Sequence, residues 1–186
     1  MIDKKKIEKA ILDILNAIGE NPNRQGLLET PKRVANMFSE IFSGYNQNNE
    51  NFIKLFDEPG SSEQIITIKD IPFHSMCEHH LMPFSGKVDI AYIPRNNQIL
   101  GISKFSRIVD SFSKKLQVQE KLTSQIAEFL YNNVSPEGIL VTIEAVHLCT
   151  TMRGIKSLNS KTKTMCALGT FKENNDIFNK AISLLK

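Results

Sequence analysis

The hydrophobic period of this chain changes part-way along, and that change limits its fold more than any other feature. Up to about residue 42 apolar residues recur three and four apart, as on one face of a helix; from "QIITIKDI" (64–71) onward they often alternate with polar ones, as in half-buried strands. In the first part, Ile7, Ile11, Ile14, Leu15 and Ile18 predict a helix that Gly19 ends. "ENPNRQGLLE" reads as a loop. In "TPKRVANMFSEIFSGY", Thr30 is the expected N-cap, Pro31 takes the first helical position and Gly44 follows the last turn. Val34, Met37, Phe38, Ile41 and Phe42 form the apolar stripe of this second helix.

After the loops "YNQNNEN" and "DEPGSSE", "QIITIKDI" and "KVDIAYI" predict strands, the second ending in the turn "PRNNQ". Two helices follow, at about 104–116 and 118–133, then the turn "SPEG". "ILVTIEAVHLC" and "TKTMCALGTF" predict strands and "DIFNKAISLL" a closing helix. The sum is α+β: helices first, then an antiparallel sheet with a helix pair inserted. Residues 1–60 read as an N-terminal helical segment and 61–186 as the main domain, in a chain of 186 residues that needs no staple merely to fold.

Composition excludes several classes of function. A formal charge of +3, from 23 basic and 20 acidic residues, is too mild for a nucleic-acid binder. "MIDKKKIEKAILDIL" scatters charges through its apolar residues, unlike a secretory signal, and no run approaches the ~18 apolar residues of a membrane span. Three cysteines, two of them beside histidines, suit metal binding in a reducing compartment better than disulfides, so the expected location is the cytoplasm.

The chemistry concentrates in "HSMCEHHLMPF" (74–84), which holds His74, His79 and His80 of the chain's four histidines. Cys77 and His80 are three apart, so one tight turn can aim both at a single ion, with His79 pointing elsewhere. Downstream, "EAVHLCTTMRG" offers His147 and Cys149, two apart and expected on one strand face. Cys77, His80 and Cys149 form a soft donor set that suits zinc, and three protein ligands leave a fourth position for water, the pattern of a catalytic site. His74 shares the spacing of three; if it or His147 closed the shell, the site would be structural. A Cys–His nucleophile pair is the rival chemistry, whereas the H-x-E…P-C-x-x-C signature of zinc nucleobase deaminases is absent. Cys166 reads as a small buried hydrophobe.

Cations stand where a helix dipole prefers anions. Behind Ser103, the expected N-cap of the third helix, come Lys104 and Arg107; Lys32 and Arg33 repeat the pattern behind Thr30. A solvated surface turn explains either pair alone, but two pairs suggest an anion such as phosphate completing the turns. Arg153 adds a cation four residues after Cys149. Glu120, in "LQVQEKL", is either a favourable helix start or a carboxylate accepting paired N–H groups from a planar ligand.

In order and spacing, "ETPKRVANMF", "SMCEHHLMPF", "GKVDIAYIP", "GISKFSRIVD", "LQVQEKLTSQIA", "VHLCTTMRG" and "NSKTKT" resemble the GTP cyclohydrolase I family, from about residue 28 to 171. The resemblance implies the tunnelling fold, a four-stranded antiparallel sheet with two helices on one face behind an N-terminal helical segment. It implies a homodecamer of two stacked pentamers with active sites at subunit contacts, and conversion of GTP and water to 7,8-dihydroneopterin triphosphate and formate, which opens folate or pterin synthesis.

By position, the resemblance makes Cys77, His80 and Cys149 ligands of Zn²⁺, and His79 and His147 acid–base groups. Glu120 with Gln119 would hold the guanine edge and Ser103 the ribose, while Lys104, Arg107, Arg153 and Arg33 would surround the triphosphate. The family does not use the His74 position as a ligand, which favours an open, catalytic shell. A zinc-stabilised GTP sensor and a tunnelling-fold enzyme acting on another pterin or deazapurine are the competing readings; the spare histidines disfavour the first and the cations the second.

Overall fold

The computed structural model describes residues 2–186, and its helices come first, as the change of period implies. Asp3 caps α1 (Lys4–Ala17) by accepting from the Lys6 amide at 3.1 Å, and Gly19, at φ 83°, turns the chain away after the last turn. Helix α2 (Thr30–Ile41) packs against α1. Its cap is Glu29 rather than Thr30, because the preceding turn, closed by Thr30 N–H to the Leu27 carbonyl at 3.0 Å, already delivers the chain in helical conformation. Gly44 is not a helix stop. It lies in the next turn and donates its amide to the Lys114 carbonyl at 3.1 Å, so close that an added Cβ would stand 2.8 Å from that oxygen.

The short β1 (Leu55–Asp57) pairs with β4 (Gln98–Leu100) in a two-stranded sheet. The main sheet has the order β5-β2-β3-β6-β7, from β2 (Ile66–Cys77), β3 (Pro83–Ile93), β5 (Leu116–Gln117), β6 (Gly138–His147) and β7 (Thr162–Gly169). Four of these strands are antiparallel, as expected; the fifth, β5, is a two-residue addition parallel to the end of β2. Strand β2 runs well past Ile71, where the sequence reading ends it. Pro72 does not stop it because this stretch lies at the sheet's outer edge, where no neighbour needs the missing N–H. Beyond it Phe73, Ser75 and Cys77 point inward and His74 outward.

Helices α3 (Ile102–Ser113) and α4 (Gln119–Val134) lie on one face, burying Phe105, Ile108, Val109, Leu122, Ile126 and Leu130 against Val88, Ile90, Val141 and Ile143. Gly101, not Ser103, caps α3, so Lys104 is its third residue and Arg107 its sixth, within the second turn. After the short α5 (Leu148–Thr151) and α6 (Thr170–Glu173), the closing helix α7 (Asn175–Leu185) packs Ala181 and neighbours on Ala91 and Leu140, on the opposite face of the sheet. The rest of that face is exposed and ion-paired: Lys87 with Asp70 at 2.7 Å, and Glu144 with Lys161 at 2.7 Å and Lys163 at 2.8 Å.

Candidate metal centre and its surroundings

The end of β2 and the turn after it build the centre. Cys77 is the last residue of β2 and is buried at 7% exposure. The turn Glu78–Met82 folds back on it: the Leu81 amide donates to the Cys77 carbonyl and the Cys77 amide to the Met82 carbonyl, both at 2.9 Å. The Glu78 amide bonds the Gln117 carbonyl at 3.0 Å, which pins the turn to β5. This geometry brings His80 Nδ1 to 3.9 Å from Cys77 Sγ.

Cys149 comes from the other side of the sheet's end, in α5. The expectation that it shares a strand face with His147 does not hold, because β6 ends at His147 and the chain turns helical at Leu148. The turn nevertheless carries the Cys149 thiol to the centre, so that the donor atoms of Cys77, His80 and Cys149 all lie within 4.8 Å of one another. Around a tetrahedral transition-metal ion with bonds of about 2.1–2.3 Å, donors stand about 3.5–3.8 Å apart. The three side chains thus need only a small contraction to hold one, and two sulfurs with one imidazole form a set of matching softness. All three cysteines are free. Burial pushes the Cys149 thiol up, the adjacent Cys77 adds to this, and the Arg153 charge partly offsets it.

His74 stands apart from this group. It is three residues before Cys77 within a strand, and an odd separation there puts the two on opposite faces. It lines an apolar groove of about 680 Å³ between α2, β2 and α3. His79 also turns away from the donors: its ring is nearly perpendicular to that of His80, at 87° and 6.3 Å between centroids, and its side chain is 64% exposed.

His147 faces the core side of β6, directly across from Phe84 on β3. The two rings stack at 4.6 Å and 4°. Its Nε2 lies 2.8 Å from Gln119 Oε1 at the start of α4. Burial holds the imidazole below its ordinary pKa, against the opposing charge of Glu120. Glu120 is exposed, whereas Gln119, expected with it at the guanine edge, is buried and has its amide bonded inside the protein. Neither Phe84 nor the inward turn of Gln119 is marked in the sequence. Only the β3–β6 register puts Phe84 on His147, and register is a long-range property.

The cations are the part that one chain does not gather. Ser103, Lys104 and Arg107 lie toward the start of α3; it is the end of that helix that reaches the centre, where Ser113 O accepts from Ser75 Oγ at 2.7 Å, two residues from Cys77. At 1.5 Å of rise per residue, Lys104 is about 14 Å and Arg107 about 9 Å along the axis from that end. Arg33 is exposed on α2 and Arg153 exposed just beyond α5. Among the described residues none of Lys104, Arg107, Arg33 and Arg153 is paired with an acid. Neither α2 nor α3 has an acidic residue in its first turn or a side-chain cap.

An α+β sheet with two helices on one face and a Cys–His–Cys donor set at its end defines a protein equipped for a metal centre. Comparison with known proteins narrows the class. The family described as GTP cyclohydrolase I matches residues 7–186. GTP cyclohydrolase 1 of Caldanaerobacter subterraneus subsp. tengcongensis is 52% identical over 100% of this chain and 98% of its own. The Streptococcus agalactiae serotype V protein of that name is 50% identical over 100% and 99%, and that of Bacillus subtilis 49% over 93% and 90%. The chain belongs to the GTP cyclohydrolase I family.

Proposed function

We propose that this protein is a zinc-dependent enzyme that hydrolyses and rearranges GTP to 7,8-dihydroneopterin triphosphate and formate in the cytoplasm, at the entry to pterin or folate synthesis. The observation that carries the reading is the convergence of Cys77, His80 and Cys149 within 4.8 Å, with two histidines beside it that are not among the donors. When bound, zinc supplies Lewis acidity that lets water attack at neutral pH, where unassisted water is barely ionised and a poor nucleophile.

The chain's own residues bind, orient and move protons. His79, exposed beside the centre, and His147, held on Phe84, serve as acid–base groups for the proton transfers that ring opening, formate release and ribose rearrangement require. Such transfers typically contribute ~10²–10⁴-fold each. Glu120 accepts from the N–H groups of the guanine edge, and Ser103 contacts the ribose. Lys104, Arg107, Arg153 and Arg33 surround the triphosphate, in keeping with their lack of acidic partners among the described residues and the absence of a side-chain cap hydrogen bond at the starts of α2 and α3.

The distance of Lys104 and Arg107 from the metal centre along α3 favours active sites shared between copies. The sheet is suited to such assembly: among the described residues β7 is unpaired on its outer side, and β2 is covered by β5 only at Met76 and Cys77. Strand addition around a ring in the tunnelling fold, and stacking of two pentamers into a decamer, would use both edges. Incubation of the zinc-loaded protein with GTP, followed by oxidation, tests the reading. Neopterin fluorescence and one formate per GTP are expected; GTP bound but unchanged would instead identify a sensor.

A further inference from the structure

The side chain of Gln119 bridges three elements at the edge of the proposed active site. It is the first residue of α4 and is 1% exposed. Its Nε2 has three acceptors within reach of its two hydrogens, the Ile143 carbonyl at 3.1 Å, the Thr162 carbonyl at 3.0 Å and Thr164 Oγ1 at 3.1 Å, and its Oε1 meets His147 Nε2 at 2.8 Å. Thr123 Oγ1 donates to the Gln119 carbonyl at 2.8 Å and touches Thr164 Oγ1 at 2.7 Å, which closes the ring of hydrogen bonds around the amide.

These partners determine which way the amide points. Two of them are main-chain carbonyls, which only accept, so the NH₂ group must face them; the reverse orientation would set oxygen against oxygen in a buried site. Gln119 Oε1 therefore faces the imidazole and accepts, and His147 Nε2 carries the hydrogen. Nδ1 is then the ring nitrogen without a partner among the described residues, and stacking on Phe84 holds the ring plane.

We infer that Gln119 is a positioning residue, not a guanine contact: held on the Ile143 and Thr162 carbonyls, its amide fixes the orientation of the His147 ring and leaves Nδ1 as the nitrogen open to substrate. The inference rests on the GTP reading of the site. A buried amide with its NH₂ group bonded inside the protein and its oxygen on an imidazole has no accessible end for a purine.

Gln119→Met keeps length and volume but removes the acceptor and both donors. With zinc content unchanged, kcat should fall about 10²-fold, the effect of misplacing a reacting group by about 1 Å. The dissociation constant for GTP, measured by calorimetry, should stay within about twofold. In a His147→Ala background the same change should cost nothing further, because residues acting as one unit are not additive. A weakened GTP affinity with kcat retained would overturn the inference, and so would losses that multiply in the double variant or zinc lost from Gln119→Met. Should Gln119→Met not fold, the crystal structure of the His79→Ala protein with GTP decides: the amide is expected on the Ile143 and Thr162 carbonyls, and an amide bonded to guanine refutes it. A wild-type protein that leaves GTP unchanged refutes the GTP reading itself; the Gln119 inference fails alone when the wild type turns over GTP and any of the contrary results appears.

Discussion

Gly86 lies where β3 and β6 leave no room for a side chain, and replacing it with alanine should damage both stability and catalysis. It pairs with Ala145, two residues from His147, and is itself two residues from Phe84. A Cβ added there would overlap the Glu144 carbonyl oxygen and stand 2.7 Å from Ala145 Cα. Both neighbours are backbone, so no side chain can swing away; the strands must separate by about 1 Å before contacts become ordinary. Losing one or two ladder hydrogen bonds at about 1 kcal/mol each, with overpacking of about 1–3 kcal/mol, gives a destabilisation of about 3 kcal/mol. For a chain of this size that corresponds to a fall in Tm of about 6–12 °C. The same shift moves the Phe84–His147 stack, and a displacement of about 1 Å costs up to ~10²-fold in turnover. Scanning calorimetry at matched protein concentration and zinc content, with a neopterin assay on the same samples, measures both. A variant that melts within about 2 °C of wild type and keeps full activity would show that the close approach has no consequence for the site.

The three histidines near the centre should separate cleanly. His80→Ala should lose zinc, whereas His79→Ala and His147→Ala should keep zinc and GTP binding but slow turnover by ~10²-fold or more, as metal analysis beside the neopterin assay would reveal; zinc lost from the His79 variant but kept in the His80 variant reverses the assignment. Lys104→Ala and Arg107→Ala should weaken GTP far more than guanosine, and equal losses for both ligands in titration calorimetry would refute the triphosphate role. Lys161 and Lys163 hold the Glu144 carboxyl down from 4.5 to about 2, so its ion pairs contribute stability above pH 4.5 that is lost as pH falls towards 2. Glu144→Gln should flatten that part of the stability–pH curve; an unchanged curve means that these exposed pairs contribute nothing measurable.

Local chemistry made much of this protein legible. The stripes of α1 and α2, the turn that joins Cys77 to His80 and the alternation of β3 and β6 each depend on residues a few positions apart, which is the range over which period and spacing act. Reading failed where partners are distant. Pro72 marks a strand end unless it is known to lie on a sheet edge, and Thr30 and Ser103 are natural caps until the preceding turns are seen to start the helices earlier. Cys149 reads as a strand residue because nothing local shows that β6 ends at His147. The inward turn of Gln119 depends on carbonyls of Ile143 and Thr162, 24 and 43 positions away. One chain does not bring Lys104, Arg107, Arg33 and Arg153 together, and contacts between copies, which the proposed triphosphate site would need, leave no pattern in the spacing of residues along a sequence.

The most direct test of a three-ligand zinc centre that drives GTP turnover is the metal content of Cys149→Ser, read by atomic absorption together with neopterin formation. Wild type should hold about one zinc per chain, the number that one such donor set binds. Cys149→Ser, lacking one of the two thiolates, should lose both the metal and the product while remaining folded. Near-stoichiometric zinc and full activity in that variant would contradict the assignment of Cys77, His80 and Cys149 as the centre.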